Sequence, residues 1–272
     1  MPLELTKHHG LANDFLVALD EANGRDVRVD GELASRLCHR RTGIGADGLI
    51  RGARPSEDER ANGIDVVMHL FNADGSRAEM SGNGIRCLAQ AYSRWHGRDE
   101  ATIVVRTDGG VREVVVRGGA ATVSDVTVAM GRATAGPSVP GPLAEQLTGR
   151  YRTVNLGNPH LVIEVSDPSG VDLATEGAWL EQQFPGGINV EYVARGAEPD
   201  LLTMTVWERG AGITQACGTG ACAAAIAAHE WGLVGTRVRV QMPGGMAEVE
   251  LGEEIFLTGP AVFVASIEVD GG

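Results

Sequence analysis

The sequence predicts an α+β protein built from two related halves. Short β-like runs alternate with only a few helical segments, and the chain has no regular strand–helix–strand repeat. Two helices dominate, at 84–95 and at 221–231, and a Ser/Cys-Gly-x-Gly turn precedes each. These turns begin at Ser81 and Cys217, which lie 136 residues apart in a chain of 272. Two corresponding helices in a strand-rich chain indicate an old internal duplication.

The remaining elements follow from apolar runs and the turn residues between them. The helix at 31–41 is amphipathic, because Leu33 and Leu37 lie four residues apart on one face. Another helix is predicted at 172–183, and the proline-rich segment 136–142 is predicted to be a loop. Strands are predicted at 3–8, 15–19, 64–71, 102–106, 111–117, 122–130, 152–155, 160–165, 188–194, 201–208, 237–241, 247–251, 254–257 and 262–269.

The two halves correspond at more than one motif. At the same spacing, Phe71 corresponds to Trp207 and Asn72 to Glu208. A weaker sequence similarity relates segment 10–13 to segment 156–158, and segment 43–47 to segment 186–189. Glycine-rich turns before helices can look alike by chance. Four correspondences in the same order favour two domains of one fold, related by an approximate two-fold axis.

The composition limits the classes of function. A net charge of −13 repels phosphate backbones, so we expect no nucleic-acid partner. No apolar stretch is long enough to cross a membrane, and the N-terminus lacks the features of a secretory signal. The four cysteines form no CxxC pair, so free thiols in the cytoplasm are expected.

The lysine content argues against one cofactor. Lys7 is the only lysine, and it lies in the first predicted strand without a glycine-rich phosphate loop beside it. Pyridoxal-phosphate enzymes that act on amino acids need a lysine for the Schiff base. We therefore expect a protein without this cofactor, and we expect no metal.

The Ser/Cys-Gly-x-Gly turns offer a specific chemistry. Glycines let the backbone approach a ligand closely. The first amides of a helix have no partner within the helix and carry the positive end of its dipole, so they can hold a carboxylate. At the same end, a cysteine such as Cys217 is expected to have a pKa lowered from about 8.5 toward neutrality.

Two such turns related by a two-fold axis would face each other across a cleft. A substrate carboxylate could then be held by both helix ends, with one reactive side chain on each face of the α-carbon. That geometry suits inversion of an α-centre, since one side removes a proton and the other returns one. The dipoles of both helices would stabilise the carbanion without a cofactor.

Each cysteine also has a purely structural interpretation. Cys217 alone could be a small buried hydrophobic residue at a helix start. The matching Gly-x-Gly at 82–84 and 218–220 favours catalysis instead. Cys87 and Cys222 fall inside the helices beside apolar residues, and we interpret them, with Cys38, as core residues.

At this point the chain resembles the diaminopimelate epimerase family. The motifs that carry the resemblance run in family order over nearly the whole chain, and together they are highly specific. They are His9-Gly-Leu-Ala-Asn-Asp-Phe15, Gly43-Ile-Gly-Ala-Asp-Gly48, Phe71-Asn-Ala-Asp-Gly-Ser76, Gly82-Asn-Gly84, Gly157-Asn-Pro-His160, Glu208-Arg-Gly-Ala-Gly212, Thr214-Gln-Ala-Cys-Gly-Thr-Gly-Ala-Cys222 and Pro243-Gly-Gly245.

The resemblance implies two similar α/β domains, each a curled, mostly antiparallel sheet around a central helix. We expect an N-terminal domain of residues 1–119 with 263–272 and a C-terminal domain of 120–262. The implied reaction interconverts LL- and meso-diaminopimelate, a precursor in lysine and cell-wall synthesis, with two cysteines as acid and base and no cofactor. Fold analogy would also permit a homodimer through an exposed edge strand.

The resemblance also implies the site residues. Cys217 and position 81 would act on the α-carbon, with His160 and Glu208 near them. The amides of Gly82, Asn83, Gly218 and Thr219 would hold the reacting carboxylate. The substrate would further contact Asn13, Asn72, Asn158, Asn189, Glu208 and Arg209. Taken alone, each Asn could equally be a turn residue and Arg209 a member of a surface ion pair.

Ser81 departs from the family pattern, which has a cysteine there. A hydroxyl is a far weaker acid than a thiol and a poor base. The chain could therefore be an ordinary epimerase with a natural or engineered replacement and reduced activity. It could be a natural Ser/Cys variant acting on another amino acid, or a one-base isomerase or dehydratase of the same fold. A protein that only binds amino acids is the alternative outside enzymes.

Overall fold

The predicted strands and helices form two units in the computed structural model, which describes residues 2–270. Unit 1 consists of Met1–Ala129 with Thr258–Gly272, and unit 2 consists of Met130–Leu257. The division falls inside two long strands, which pass from one unit to the other. The domain boundaries expected after 119 and after 262 stay a prediction.

Among the described residues, unit 1 contains three helices, seven whole strands and the larger parts of two more. Its elements are β1 Leu3–Gly10, β2 Asn13–Leu19, α1 Gly31–Cys38, β3 Gly48–Ala53, α2 Glu57–Ala61, β4 Val66–Asn72, β5 Arg77–Ala78, α3 Gly82–Trp95, β6 Glu100–Thr107, β7 Gly110–Arg117 and β8 Val123–Gly131, whose last residues belong to unit 2.

Unit 2 continues with three further helices and a short 3₁₀ turn at Pro168–Gly170. Its elements are β9 Thr134–Ala135, α4 Gly141–Ala144, β10 Tyr151–Asn155, β11 Pro159–Glu164, α5 Leu173–Gln182, β12 Asn189–Arg195, β13 Leu201–Glu208, β14 Gly212–Ile213, α6 Gly218–Glu230, β15 Arg237–Met242, β16 Gly245–Glu250 and β17 Ile255–Val269, which returns to unit 1 from Thr258 onward.

The two units pair their strands in the same order and direction. In unit 1, β1 is antiparallel to β2, β2 parallel to β3, β3 antiparallel to β4, β4 antiparallel to β5 and parallel to β6, and β6 antiparallel to β7. In unit 2, β10, β11, β12, β13, β14, β15 and β16 repeat this scheme strand for strand. The registers agree as well, since Phe71 lies opposite Arg77 and Trp207 lies opposite Ile213.

Each mostly antiparallel sheet surrounds one helix. In unit 1, α3 packs on β1–β4, β6 and β7, and in unit 2, α6 packs on β10–β13, β15 and β16. Every residue from Gly82 to Ser93 of α3 is buried, as are most residues of α6. A helix buried on all sides has no solvent-facing stripe, and the alanines of α6 allow the strands to approach closely. The predicted α+β architecture, two similar domains with a curled sheet around a central helix, is confirmed.

Several elements differ from their predicted form. Strand β3 was not expected, because its glycines interrupt the apolar pattern. The predicted strands 254–257 and 262–269 form one continuous strand, β17, through Gly259 and Pro260. A four-residue helix, α4, begins where only a loop was expected. Within residues 2–270, every helix is too short or too polar to span a bilayer.

Candidate active site

Ser81 begins the central helix of unit 1. It is the N-cap of α3, with extended backbone angles, and its Oγ accepts a hydrogen bond from the Gly84 amide at 3.0 Å. Such a cap contributes about 1 kcal/mol to helix stability. A Cβ at Gly84 would lie 3.1 Å from the Ser81 Cβ and 3.2 Å from the Ile50 Cδ1, so the turn has little room for a larger residue.

The side chains around this turn form a directed row of hydrogen bonds. Asn13 Nδ2 donates to Asp47 Oδ2 at 2.8 Å, and Asn83 Nδ2 donates to Asn13 Oδ1 at 3.1 Å. The fully buried Arg86 completes the row, since its Nη2 donates to Asn83 Oδ1 at 2.7 Å. A carboxylate at one end and a guanidinium at the other fix the orientation of both amides. Asn72 stands apart from this row; it is exposed, and its Nδ2 donates to Ser76 Oγ.

An ion-pair cluster supports the Asn13 end of the row. The carboxylate of Asp14 lies 2.9 Å from Lys7 Nζ and 2.6 Å from Arg40 Nη2, and Arg40 also contacts Asp47 at 2.7 Å. Burial alone would raise the pKa of Asp14, but hydrogen bonds and charges from Arg40 and Lys7 hold it below the ordinary value. Lys7, the only lysine, therefore has a structural partner in unit 1.

Cys217 begins the central helix of unit 2 in the same way. It is the N-cap of α6, and its Sγ accepts a hydrogen bond from the Gly220 amide at 3.4 Å. The same sulfur lies 3.4 Å from Thr219 Oγ1, and the residue is only 4% exposed. Gly218 and Thr219 are the first two residues of α6, where amides have no acceptor within the helix.

The expected lowering of the Cys217 pKa is wrong for this structure. Burial raises the pKa of the Cys217 thiol well above its ordinary value, and the carboxylates of Glu208 and Glu191 raise it further. Hydrogen bonds from Thr219 and Gly220 act in the opposite direction but do not compensate. The helix end therefore stabilises the thiolate by less than burial and the two acidic neighbours destabilise it.

Glu208 is an acidic neighbour of Cys217, since each of the two groups changes the pKa of the other. Burial raises the pKa of Glu208, against the hydrogen bonds from Thr214 and Cys217 that lower it. Thr214 Oγ1 donates to Glu208 Oε1 at 2.5 Å, which holds the carboxyl group in place. A carboxyl group whose pKa is raised holds a proton more readily, so it is suited to exchange one with a neighbouring thiol.

A buried pair of ionisable side chains lies behind the unit 2 turn. His160 and Glu191 are both fully buried, and His160 Nδ1 lies 2.6 Å from Glu191 Oε1. His160 Nε2 lies 3.0 Å from Asn158 Oδ1, and Asn158 Nδ2 donates to Thr219 Oγ1 at 3.3 Å. Sequence reasoning did not identify Glu191. The available signal was a single carboxylate inside the apolar run 188–194, since a glutamate is rarely fully buried without a partner.

Asn189 and Arg209 belong to the same region. Asn189 Oδ1 accepts from the Arg209 amide at 2.9 Å, and Asn189 Nδ2 donates to Pro159 O at 2.8 Å. These bonds tie the turn after Glu208 to the start of β11. The Arg209 side chain is exposed, with Nη1 donating to Gly186 O at 3.3 Å. Unit 2 therefore brings together the site residues predicted for it. In unit 1, Asn72 bonds to Ser76 and is not a member of the hydrogen-bonded row that contains Asn13 and Asn83.

The strand registers allow position-by-position comparison of the two turns. Val17 pairs with Ile50 and Ile50 with Leu70 in unit 1, and Val162 pairs with Glu191 and Glu191 with Val206 in unit 2. Ile50 is therefore the counterpart of Glu191. By the same registers Phe15 is the counterpart of His160, because it pairs with Gly48 as His160 pairs with Asn189. The site is thus ionisable in unit 2 and apolar at the matching positions of unit 1.

Several known proteins are similar to this chain over nearly its whole length. A family model described as diaminopimelate epimerase matches residues 5–135 and 152–264. Diaminopimelate epimerase of Synechococcus elongatus is 39% identical, over 98% of this chain and 98% of that protein. That of Synechocystis is 38% identical, over 99% of this chain and 100% of that protein.

Solved structures share the fold at low identity. A "Predicted Epimerase" from Pseudomonas aeruginosa has a TM-score of 0.74 at 16% identity and covers 99% of this chain and 100% of that one. A hydroxyproline epimerase from Agrobacterium vitis has a TM-score of 0.66 at 16% identity, covering 98% of this chain and 92% of that one. The family match over both units and the full-length relatives together show that this chain belongs to the diaminopimelate epimerase family.

Proposed function

We propose that the protein interconverts LL- and meso-diaminopimelate by removing and returning the α-proton, without pyridoxal phosphate or a metal. The observation that carries the proposal is the place of Cys217 at the start of α6, with Glu208 as an acidic neighbour that raises its pKa, in a chain of this family. The curated relatives with this name match it over nearly their whole length. Under the proposal, Cys217 and Ser81 act on opposite faces of the α-carbon.

The proton transfers follow from the geometry of unit 2. In the resting site the thiol of Cys217 is protonated, because burial raises its pKa. Glu208 accepts the thiol proton, and the resulting thiolate removes the α-proton of the substrate. The amides of Gly218 and Thr219 hold the substrate carboxylate and stabilise the charge that develops on it. Asn158 and Arg209 supply polar groups for the rest of the substrate.

Ser81 makes the reaction asymmetric. Its Oγ accepts from Gly84, so its own proton remains available to be donated to the opposite face. Before the next cycle the alkoxide must take a proton from water, and Glu208 must release to water the proton that it took from the thiol. Because a hydroxyl gives up its proton far less readily than a thiol, we expect removal of the α-proton by Cys217 to outpace inversion.

Deuterium exchange tests the reaction and its asymmetry. The protein is incubated with LL- or meso-diaminopimelate in deuterated water, and α-deuterium and stereochemistry are followed separately. We expect faster exchange than inversion from the meso isomer, slow turnover of the LL isomer, and no exchange with Cys217→Ala. The absence of exchange from either isomer, in the wild type and in Ser81→Cys, would refute the substrate assignment.

Three outcomes would select the alternatives. Exchange with full retention from the meso isomer would identify a one-base isomerase of the same fold, because the proton then leaves and returns on one face. Exchange of a different amino acid, with diaminopimelate inert, would identify another racemase. Ligand affinity unchanged in Cys217→Ala, without turnover in the wild type, would identify a binding protein.

The setting of the reaction is part of the same proposal. We place the protein in the cytoplasm, in amino-acid biosynthesis leading to lysine, with a small amino acid as its partner and neither nucleic acid nor a membrane. A homodimer is proposed from fold analogy alone. Light scattering on the purified protein measures its mass, and a monomer at working concentration would contradict the dimer.

A further inference from the structure

Glu191 occupies a position where a carboxylate is costly. It lies in the middle of β12, is fully buried, and has only apolar residues beside it from Val190 to Ala194 along the strand, apart from the partly polar Tyr192. Its Oε2 is buried and accepts no hydrogen bond from the described residues. A carboxylate in such a place is retained only with a compensating partner. The partner is His160, whose Nδ1 lies 2.6 Å from Oε1.

The hydrogen bonds of His160 determine where its protons are. Asn158 Oδ1 can only accept, so His160 Nε2, at 3.0 Å, carries a proton and donates it. Between His160 Nδ1 and Glu191 Oε1 there is room for one proton, since two donors or two acceptors at that distance would repel. The pair therefore has no net charge, whether the shared proton is on nitrogen or on oxygen, and this proton offsets the effect that the Glu191 carboxylate alone has on the pKa of Cys217.

From this pair, donors point in one direction toward Cys217. His160 donates to Asn158 Oδ1, and Asn158 Nδ2 donates to Thr219 Oγ1. The Thr219 hydroxyl thus accepts from Asn158, and its own proton is directed at Cys217 Sγ, 3.4 Å away. A donor aimed at this sulfur favours the thiolate.

The other unit shows that the fold does not require these polar side chains. The positions of His160 and Glu191 are taken by Phe15 and Ile50 in unit 1, on the matching strands and beside the matching glycine. Both apolar residues are buried. The same packing is thus achieved without an ionisable pair, which points to a role in the chemistry rather than in the fold.

We propose that Glu191 is a positioning residue of the active site. It shares one proton with His160, keeps the His160 Nε2–H directed at Asn158, and so keeps the Thr219 hydroxyl available as a donor to Cys217. This inference rests on the proposed function for its role in turnover. Its effect on the Cys217 thiol can be measured without any substrate.

The test compares three variants with one control. Glu191→Gln retains a group that can donate to His160 Nδ1, so the Nε2–H is kept. Glu191→Ile introduces the residue of unit 1 and leaves Nδ1 without its partner. His160→Phe with Glu191→Ile reproduces the unit 1 pair. Glu164→Gln, on β11 and paired with Arg150 away from the turn, is the control. The measurements are the iodoacetamide alkylation rate of Cys217 by site-resolved mass spectrometry, α-deuterium exchange, and the thermal midpoint.

In Glu191→Ile we expect alkylation to slow by at least about fivefold and exchange by about 10–100-fold, as for other residues that orient a reactive histidine. Glu191→Gln should stay within about threefold of the wild type in both alkylation rate and exchange rate, and Glu164→Gln should match the wild type in both. The double variant should lose exchange as Glu191→Ile does, with a thermal midpoint no lower than that of the wild type, because buried ion pairs are replaceable by apolar residues of similar volume.

Three results would overturn the inference. Faster alkylation in Glu191→Ile would show that Glu191 acts directly on the thiol as a bare carboxylate. Equal impairment of Glu191→Gln and Glu191→Ile would show that orientation of His160 is not its role. A lower thermal midpoint of the double variant would show that the fold needs the pair. Absence of exchange in the wild type, with the alkylation pattern intact, would instead refute only the substrate.

Discussion

Ser81 and Cys217 hold equivalent places at the starts of α3 and α6, but their surroundings differ in charge. Cys217 has the acidic Glu208 as a neighbour, whereas the residue of unit 1 that corresponds to Glu208, 136 positions before it, is the neutral, exposed Asn72. The position of unit 1 that corresponds to Glu208 therefore has no carboxyl group to accept a proton from Ser81. This explains why we expect the two faces of the α-carbon to react at different rates.

Ser81→Cys should raise activity and lower stability. A thiol at this position ionises far more readily than a hydroxyl, so inversion should rise by at least about 10-fold, within the usual range for a general acid or base. Serine is the better helix cap, so the free energy of unfolding should fall by about 0.5–1 kcal/mol. Inversion kinetics and urea unfolding measure the two effects.

The matched control for this variant is Ser56→Cys. Ser56 is likewise an N-cap, of α2, and its Oγ accepts from the Glu59 amide at 3.3 Å, far along the chain from the turn. It should lose a similar amount of stability and gain no activity. A gain in activity in both variants, or in neither, would contradict the assignment of position 81 as a proton donor.

At the residue scale, the sequence pointed to candidate reactive groups but did not predict their pKa values. The Gly-x-Gly turns identified Cys217, and the family motifs identified Glu208 and His160. The direction of the Cys217 pKa was predicted wrongly, because desolvation depends on tertiary packing and not on the local helix end. Glu191 was missed because its partner, His160, lies 31 residues away in the chain and meets it only across the parallel β11–β12 pair.

At the scale of elements, the β1–β2 turn carries backbone strain next to the site. Leu11 and Ala12 have φ values of 55° and 63°, in the left-handed region that favours glycine. Both lie between Gly10 and Asn13, which close a two-residue hairpin. The turn directs Asn13 toward Asn83, so strain is accepted where a predicted substrate-binding residue is positioned.

Ala12→Gly should stabilise the protein. Removing the Cβ relieves a strain of about 1–2 kcal/mol in the left-handed conformation. The greater freedom of glycine in the unfolded chain offsets about half of this gain in stability. We expect a net gain of about 0.5–1 kcal/mol in the free energy of unfolding, measured in urea. Ala197→Gly, in an exposed loop without a positive φ, should have the opposite sign. Destabilisation by both substitutions would show that the turn is not strained.

The four longest helices and most long strands were predicted well because their apolar periods are local properties of the chain, whereas the five-residue helix α2 was not predicted. The short strands β5 and β14 were not predicted, since two residues carry no period. Their existence depends on the return of the chain against β4 and β13. The strand β17 was split at Gly259-Pro260 because this dipeptide normally marks a turn, whereas here Gly259 packs against the guanidinium of Arg86.

At the scale of the whole molecule, one buried histidine joins several elements of unit 1. His8 of β1 is fully buried; its Nδ1 lies 2.7 Å from Gln90 Oε1 on α3, and its Nε2 lies 2.9 Å from Thr6 Oγ1. Gln90 Nε2 in turn donates to Ser124 Oγ on β8 and to Ala261 O on β17, each at 2.9 Å. Protonation of His8 would place a charge at the junction of these four elements.

This junction should make stability depend on pH. Burial lowers the pKa of His8 from 6.5 to about 4, with smaller contributions from the charges of Arg94 and His9. Between these values the unfolded chain binds more protons than the folded one, so stability rises with pH. The contribution is complete above pH 6.5 and is lost as the pH falls toward 4. Between pH 7 and pH 5, His8 should account for a loss of roughly 2 kcal/mol.

Urea unfolding of the wild type and His8→Asn at pH 7, 6 and 5 measures this contribution. Asn keeps a polar group near Gln90 but cannot titrate, so the variant should be less stable at pH 7 and should lose less stability on acidification. The free energy of unfolding of each protein is plotted against pH, and the difference between the two slopes gives the contribution of His8. Every other titrating group is common to both proteins. Parallel slopes would show that His8 is already protonated in the fold, or that its region opens before it titrates. Either result would remove His8 as the reason why acid weakens the packing of β1, α3, β8 and β17.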